Sequence, residues 1–407
     1  MLEGAGIARP AGGTARGMDE ALARAREVGF PAMVRPSFVI GGRAMTVVET
    51  AADLKSYLGE AIAAYPDRPI RIDRYIAGRE LELDALADGE DATVCGIFAH
   101  VERAGVHSGD SIAVFPAHDL DGVIEARVVA IARRLAKALS IHGLLNIQFV
   151  VSPGGELGVL EVNPRASRTV PVLEKATGRP LAAWAAALAL GDRLPDLGLE
   201  PGLLPSPAHV AVKVPVWSFG HLPRVEAAVG PEMKSTGEVM ALGANLIEAA
   251  RVALTAAGIS VGHGRSVLFT VADRDKAESI PIARSLKAHG YGLWATEGTA
   301  RALSDAGLEA GVVHRIGRGS PDVLERLVAG DIALVVNTTT QGRQPERDGF
   351  RIRRAAVERG IPCVTSLDTA RLVASVLADA SRPPRPPRSL QEYLCTGASH
   401  NAPEVPA

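Results

Sequence analysis

Apolar residues recur at positions 18, 21, 22, 25 and 28, a helical stripe. The spacing predicts a helix over Met18–Val28, then a short strand over 32–35. Pro36 bars that strand from running on into a helix. A second helix is expected over 53–64, with apolar positions at 54, 57, 58, 61 and 62, and a strand over 70–76. Residues 80–86 alternate strictly, which puts Glu80, Glu82 and Asp84 on one strand face. Such a face is expected to be the solvated one. Asp88-Gly89 signals a hairpin, with the return strand over 92–100.

A long amphipathic helix is expected over 123–139, followed by strands over 144–151 and 157–162. The turn Ser152-Pro153-Gly154-Gly155-Glu156 joins those strands. If Gly154-Gly155 is a two-residue loop, Gln148 faces Glu161. The strand period of two then puts Asn163 on the face of Glu161. Residues 172–190 are expected to be helical, 190–208 a connection, 209–217 a strand, 230–238 a polar loop and 245–257 a helix. Gly258 to Gly264 is the best domain boundary.

Beyond it, strands over 266–272, 292–295, 311–315, 332–337 and 361–365 alternate with helices. This predicts a small doubly wound domain with a mostly parallel sheet. Ligands of such folds sit at the carboxyl ends of the strands. Three hydroxyl-rich turns fall there: Thr296-Glu297-Gly298-Thr299, Gly319-Ser320-Pro321 and Asn337-Thr338-Thr339-Thr340. Lys276 and Arg315 could add positive charge. The turns read as helix caps or as a phosphate pocket, and their concentration at one edge favours the pocket. Residues 381–407 hold many prolines and no periodicity, so disorder is expected apart from a helical turn over 389–394.

Composition narrows the class. At 407 residues the chain has room for two or three domains, and a net charge of −2 argues against a nucleic-acid footprint. Its three cysteines, Cys95, Cys363 and Cys395, show no disulfide or metal spacing. The start lacks the basic and apolar segments of a signal peptide, and the longest apolar run is too short to span a bilayer. A cytoplasmic location is expected, with neither nucleic acid nor membrane as partner.

The stretch Leu160 to Thr169 concentrates chemistry. Glu161, Asn163, Arg165 and Arg168 put a carboxylate, an amide and two guanidiniums into eight residues. Hard oxygen ligands suit Mg²⁺ shared with substrate phosphates, and arginines neutralise what the metal does not reach. A capped strand-to-helix turn would use similar residues. Placing Gln148 across from Glu161 favours a metal–phosphate elbow. Gly41-Gly42, near Arg35, could bring backbone N–H groups to an anion, or could be an ordinary turn.

These motifs resemble one family. Val34-Arg35-Pro36-Ser37 with Gly41 to Met45, Ala104 to Ser111, Asn146 to Phe149, Glu161 to Pro171 and Gly230 to Met240 occur in the order found in the large subunit of carbamoyl phosphate synthetase. The resemblance runs from about residue 15 to 380 and fits that subunit's C-terminal portion. It implies an α/β and α+β multidomain chain, an ATP-grasp fold followed by a doubly wound, methylglyoxal-synthase-like allosteric domain. The implied division is 1–190 for the ATP-grasp domain, 191–260 for an extension completing it, 261–380 for the allosteric domain and 381–407 for a tail.

The resemblance also implies roles. Arg35 would hold ATP phosphates, Gly41 and Gly42 would cover them, and Arg71 to Ile76 would border the adenine. Glu80 would meet the ribose, and Gly105, Val106, His107 and Ser108 would line the nucleotide site. Gln148, Glu161 and Asn163 would bind two Mg²⁺ or Mn²⁺ ions, with K⁺ as a further cation. Arg165, Arg168 and Asn163 would serve phosphoryl transfer to carbamate. Lys276, Thr296, Thr299, Arg315, Asn337, Thr338 and Thr339 would line an effector phosphate pocket.

Departures shape the expectation. The family's large subunit carries two synthetase halves, and this sequence carries at most one. No segment before Met18 could form the pre-grasp domain, and no glutaminase-like segment with a nucleophilic Cys is visible. A glutaminase subunit and a chain supplying the N-terminal half are the expected partners. Glu102 and Asp110 match amine-effector positions, while Lys213 is followed by Val214 where relatives have Glu. The implied activity is phosphorylation of carbamate, serving arginine and pyrimidine synthesis. The competing expectation is a non-catalytic nucleotide-binding, regulatory or assembly module. Free methylglyoxal synthase activity would need an aspartate where the chain reads Asn337-Thr338-Thr339.

Overall fold

A computed structural model describes residues 6–37, 41–42, 44–64, 68–222, 225–260, 265–339, 348–379 and 388–396. Within them the chain builds three sheets in succession. The first is antiparallel, formed by β1 (Gly12–Ala15), β2 (Ala32–Pro36), β3 (Thr46–Val48) and β4 (Ile70–Arg74), in the order β1-β4-β2-β3. Helices α1 (Met18–Val28) and α2 (Ala51–Ala64) cover one face, burying Ala21, Ala25, Leu54 and Leu58 against Val34 and Ile72. The apolar stripe read at 18, 21, 22, 25 and 28 is the buried side of α1. Strand β1 carries almost no apolar signal, being Gly-Gly-Thr-Ala, and was not expected.

The second sheet has eight strands: β5 (Arg79–Asp88), β6 (Ala92–Arg103), β7 (Ala113–Phe115), β8 (His142–Val151), β9 (Leu157–Asn163), β10 (Gly202–Leu203), β11 (Val210–Val216) and β12 (Gly237–Gly243). Seven run in the order β12-β11-β7-β6-β5-β8-β9, and β10 adds to β6 in parallel. Helix α3 (Gly122–Ala138) packs Ile124, Val128, Ala132 and Leu135 onto one face, against Leu81, Leu83 and Ile147. The expected helix over 172–190 is two, α4 (Val170–Thr177) and α5 (Leu181–Leu190). Gly178, at φ 70°, and Pro180 separate them: a left-handed residue ends a helix, and proline starts the next. Helix α6 (Leu246–Ala256) follows, capped by Asn245, which accepts from the Glu248 N–H at 3.0 Å.

The third sheet is entirely parallel: β13 (Ser266–Phe269), β14 (Gly292–Thr296), β15 (Gly311–Val313), β16 (Ile332–Val336) and β17 (Cys363–Val364), ordered β15-β14-β13-β16-β17. Helices α7 (Lys276–Ala288), α8 (Glu297–Asp305), α9 (Val323–Val328), α10 (Asp348–Glu358) and α11 (Leu367–Ala378) wind on both faces. Alternate strand residues feed the two layers. Val267, Phe269 and Val336 face one core, and Leu268, Val335 and Ile332 the other. The first of these cores does not stop at the domain edge. It continues through α11 and α6 to Val114, Val212 and Val214 of the second sheet. A last helix, α12 (Leu390–Thr396), lies on α4, with Leu394 against Gly178 and Tyr393 edge-on to His209 at 5.5 Å. Most of the 381–407 segment lies outside the described residues, as do Ile40, Arg43 and Thr340.

Candidate functional site

The hairpin register decides how the site is built. Gln148 pairs with Glu161, and Asn146 with Asn163. The route to that register differs from the two-residue loop. Next to the turn Val151 pairs with Leu157, Val150 with Gly158 and Phe149 with Val159. The turn is the five-residue Ser152–Glu156, closed by the Ser152 N–H to Glu156 carbonyl bond at 2.9 Å. A bulge between Gln148 and Phe149 then leaves Leu160 unpaired and half a turn out, so it is exposed. The bulge restores Glu161 to Gln148; without it Leu160 would sit there.

Strand β5 extends the pattern on the other side of β8. Glu82 pairs with Gln148, and Asp84 with Asn146. Two rows therefore cross three strands on one face: Glu82–Gln148–Glu161 and Asp84–Asn146–Asn163. Each row runs from buried to open. Glu82, Asp84 and Asn146 are buried, Gln148 and Asn163 are half-buried, and Glu161 is exposed. This corrects the expectation of a solvated acidic face. β5 lies inside the sheet, between β6 and β8, and its carboxylates are bonded by Thr169 of the elbow, His100, Asn146 and the Gly105 N–H. Alternation reports that two faces differ, not that one of them meets water.

Burying three carboxylates demands compensation. His100 lies between Glu80 and Glu82, Nδ1 3.3 Å from Glu80 and Nε2 3.2 Å from Glu82. Its two acid partners overcome burial and push its pKa up to about 9, so the ring is an imidazolium at neutral pH. Hydrogen bonding from His100 and the charges of His100 and Lys213 hold Glu82 below the usual carboxylate range despite burial. Asp84 goes the other way: burial, then the Glu82 charge, push it up to about 7. Asp84 accepts from Asn146 Nδ2 at 3.1 Å and from the Thr169 hydroxyl at 2.5 Å. Lys213 is 1% exposed, and burial pulls its pKa down. Its Nζ donates to the Ser108 carbonyl at 3.2 Å.

The elbow rests on this floor. Thr169 stands at the N-cap of α4 but makes no capping bond; its hydroxyl goes to Asp84 instead. Arg165 donates to Asn163 Oδ1 at 3.3 Å and to the Ala166 carbonyl at 2.9 Å. Arg168 reaches Ser235 Oγ at 3.3 Å, crossing over Gly109, where a Cβ would stand 1.9 Å from the guanidinium. The turn 107–111 is held from several sides. Gln148 Nε2 donates to Ser108 Oγ at 3.0 Å, and Asp110 accepts the N–H groups of Lys234 and Ser235 at 2.9 and 2.8 Å. His107 accepts from the Gly109 N–H on Nδ1 at 3.0 Å, and burial lowers its pKa, so it is neutral.

The other expected nucleotide residues attach to this centre by degrees. The Gly105 N–H donates to Glu80 Oε1 at 3.2 Å. Gly41 and Gly42, at φ 65° and 67°, dock on the 230–236 loop: the Gly41 carbonyl accepts from the Met233 N–H at 3.0 Å, and a Cβ on Gly42 would meet the Pro231 carbonyl at 2.0 Å. Arg35 lies on β2 opposite Arg71 and has no hydrogen-bond or ion-pair partner among the described residues. Val106 lines a cavity of about 800 Å³ that also touches Tyr75, Thr338 and Thr339.

Toward a metal, Glu161 is a carboxylate without a hydrogen-bond partner among the described residues, and Gln148 keeps its Oε1 free while its Nε2 bonds Ser108. Asn163 Oδ1 is held by Arg165. No three His, Cys, Asp or Glu side chains among the described residues cluster as a self-sufficient metal site. One carboxylate beside an amide oxygen fits a hard cation that shares its shell with substrate phosphates. His100, Asn146, Asp84 and Lys213 were missed. A signal existed for two of them: Lys213 is the one charge in Val210–Val216, and His100 shares parity with Glu102 after the apolar run Val94–Ala99.

In the third sheet the expected pocket residues gather at the strand ends. Thr296 is the N-cap residue of α8 yet makes no capping bond; its hydroxyl points to Thr299 Oγ1 at 3.3 Å. Lys276 lies close over Gly298. Asn337 and Thr338 are buried, Thr338 Oγ1 accepting from the Ala272 N–H at 2.8 Å. Arg315 is turned outward to Asp348 at 3.3 Å. The third turn is different: Asp322, not Ser320, caps α9.

Residues 3–197 match the family model described as carbamoyl-phosphate synthase L chain, ATP binding domain, and residues 278–365 match the MGS-like domain. The biotin carboxylase domain of 2-oxoglutarate carboxylase from Hydrogenobacter thermophilus, solved with MgADP, ADP and bicarbonate, is 18% identical. It superposes at a TM-score of 0.50 over 63% of this chain and 63% of that one. Biotin carboxylase from Campylobacter jejuni, 20% identical, gives 0.49 over 62% and 64%. N5-carboxyaminoimidazole ribonucleotide synthetase from Thermotoga maritima, 16% identical, gives 0.46 over 63% and 68%. The chain thus spans just under two thirds of the first two. At these identities the likeness concerns the fold alone, ATP-grasp; the doubly wound parallel-sheet domain that follows it is the one the MGS-like model matches.

Proposed function

We propose that this chain, whose residues 3–197 match the carbamoyl-phosphate synthase L chain, ATP binding domain and whose residues 278–365 match the MGS-like domain, phosphorylates carbamate with ATP to give carbamoyl phosphate. It would do so as the C-terminal part of a glutamine-dependent synthetase, with a glutaminase subunit and a further chain providing ammonia and carbamate. In this reading residues 1–190 hold ATP and carbamate, 191–260 complete the large sheet, and 261–380 regulate. The observation that carries it is the graded grid Glu82–Gln148–Glu161 and Asp84–Asn146–Asn163, with Arg165 and Arg168 at its open edge.

A carbamate oxygen attacks the γ-phosphorus of ATP in line, and ADP leaves. Such transfers rest on placement and electrostatics. Gln148, Glu161 and Asn163 would hold Mg²⁺ or Mn²⁺, which supplies charge neutralisation between the phosphates when bound. Arg165 and Arg168 would meet the equatorial oxygens of the transferring group. Asn163 orients Arg165, and Gly109 leaves room for Arg168. Arg35 and the Gly41-Gly42 turn would cover the phosphates, Glu80 would meet the ribose, and His107 and Ser108 would bound the site. Gly41 and Gly42 dock on the 230–236 loop, which also contacts Asp110, so closing over ATP would also exclude the water that destroys carbamate.

The test is the reverse reaction. With Mg²⁺, ADP and carbamoyl phosphate, the chain alone or with its partner chains should form ATP. Arg165→Ala should slow this by about 10²–10³-fold, the usual loss for one donor to a developing charge. ADP binding without any ATP formation would replace this reading with a nucleotide-binding assembly module.

A further inference from the structure

Helix α12 follows the terminal domain in sequence but is seated on the unit of the large sheet. Leu390, Tyr393 and Leu394 are half-buried, while Ser389, Gln391, Glu392 and Cys395 are exposed. Spacings of three and four residues put the first group on one helical face. The helix opens on a reciprocal cap: the Ser389 N–H donates to Glu392 Oε2 at 2.5 Å, and the Glu392 N–H to Ser389 Oγ at 3.3 Å.

The half-buried face fills a notch between two elements of the site. On one side is Gly178, the left-handed end of α4, where a Cβ would stand 3.3 Å from Leu394 Cδ2. On the other is His209, just before β11, which is 7% exposed and has the Tyr393 ring edge-on at 5.5 Å. His209 Nε2 lies 2.7 Å from the Ala176 carbonyl. A carbonyl only accepts, so Nε2 carries the hydrogen and donates. The bond satisfies one of the carbonyls that the end of α4 leaves open. Tyr393 thus backs the ring that caps α4.

We propose that α12 is a clasp in cis: this carboxyl-terminal segment docks at the Gly178–His209 notch and, through α4 and the start of β11, holds the elbow and Lys213 in place. Helix α4 has eight residues, and a helix that short is marginal without packing. It begins directly after Thr169, whose hydroxyl bonds Asp84. Slack at Gly178 therefore reaches the elbow within about two turns. On β11, four residues after His209, Lys213 bonds the Ser108 carbonyl. Four prolines lie in the sequence 380–387 that leads to α12. Proline narrows the freedom of an undocked chain, so docking costs less entropy. The effect on turnover rests on the phosphoryl-transfer reading; the docking does not.

The test uses the full chain carrying Leu394→Asp or Tyr393→Ser, without nucleotide, and hydrogen exchange read by mass spectrometry. Leu394→Asp sets a charge against Gly178. Exchange in 172–178 should rise about five- to tenfold, the worth of one half-buried leucine contact, with 124–138 of α3 unchanged. Tyr393→Ser should act on the same segment by a smaller factor. Of the three thiols Cys395 alone is exposed, so a fluorophore there reports the clasp directly. Its anisotropy should fall in both variants, and in the parent chain it should not depend on protein concentration. Unchanged exchange in 172–178 overturns the clasp. An equal rise in α3 also overturns it, because the contact would then support the fold at large. Docking that grows with concentration overturns the cis arrangement in favour of a second copy's tail. In a chain that forms ATP from ADP and carbamoyl phosphate, Leu394→Asp should lower kcat several-fold at unchanged KM for ADP. An unchanged kcat overturns the positioning role. A chain that forms no ATP fails the phosphoryl-transfer reading, and the exchange result still decides the clasp.

Discussion

The floor of the elbow and the strand-end edge of the terminal domain handle charge in opposite ways. Under the elbow, Glu80, Glu82, Asp84, His100 and Lys213 are all buried, and each is fixed by its neighbours. At the strand-end edge, Arg315 is 73% exposed and bonds Asp348 across open solvent. A buried ionic network fixes geometry because removing any member strands the rest. An exposed pair fixes little, and is therefore available for a ligand to rearrange. Under the proposed function the two regions would suit different work: a rigid floor for phosphoryl transfer, and a yielding rim for sensing.

The comparison breaks most visibly at His100. Replacing it by Gln leaves Glu80 and Glu82 facing each other in a dry site with no cation between them. The loss should be about 3–5 kcal/mol of stability, the penalty for breaking a buried ion pair. Chemical denaturation at pH 7 reads this directly. A loss below about 1 kcal/mol would mean that water reaches the floor. The same network sets a pH dependence in the unsubstituted chain. Because the folded pKa of His100 lies near 9, above its unfolded 6.5, its contribution is complete below pH 6.5 and is lost as pH rises through 9.

Asp84 sharpens the contrast within the floor. Its folded pKa of about 7 lies above its unfolded 3.8, so the folded chain prefers the protonated acid, and stability falls as pH climbs from 4 to 7. Asp88, Asp91 and other carboxylates with lowered pKa values act in the opposite sense. The difference between the unsubstituted chain and Asp84→Asn isolates the residue. Asn keeps an acceptor for Thr169 and removes the titration. The variant should gain relative stability with rising pH, by up to about 4 kcal/mol between pH 4 and 8. A flat difference curve would show Asp84 ionised throughout.

How much of this was legible follows from what each signal encodes. The helix stripes at 18–28 and 123–139 encode a buried side, and both were read to within a residue. The pairing of Gln148 with Glu161 was also read, although by a shorter turn than the one present; the bulge at Leu160 supplies the residue that the turn length took away. The alternation at Glu80–Asp84 was read and its meaning mistaken. Whether a polar face meets water depends on what lies over it, and here Thr169 covers Asp84 and Gly105 covers Glu80, both distant in sequence. For the same reason, Asn146 and Thr169 could not be tied to Asp84 in advance. The strand-end turns were found because sheet order alone brings them together.

The smallest effect belongs to the rim. Arg315→Ala removes an exposed pair with Asp348, and the stability change should lie within about 0–1 kcal/mol. If the rim serves as an anion pocket, the same substitution should weaken the protection that inorganic phosphate gives residues 296–299 in hydrogen exchange by a larger factor than that change allows. The two measurements separate a residue that supports the fold from one held ready for a ligand. A stability loss above about 2 kcal/mol would place Arg315 with the floor residues, and the division between rigid floor and yielding rim would not hold at its clearest point.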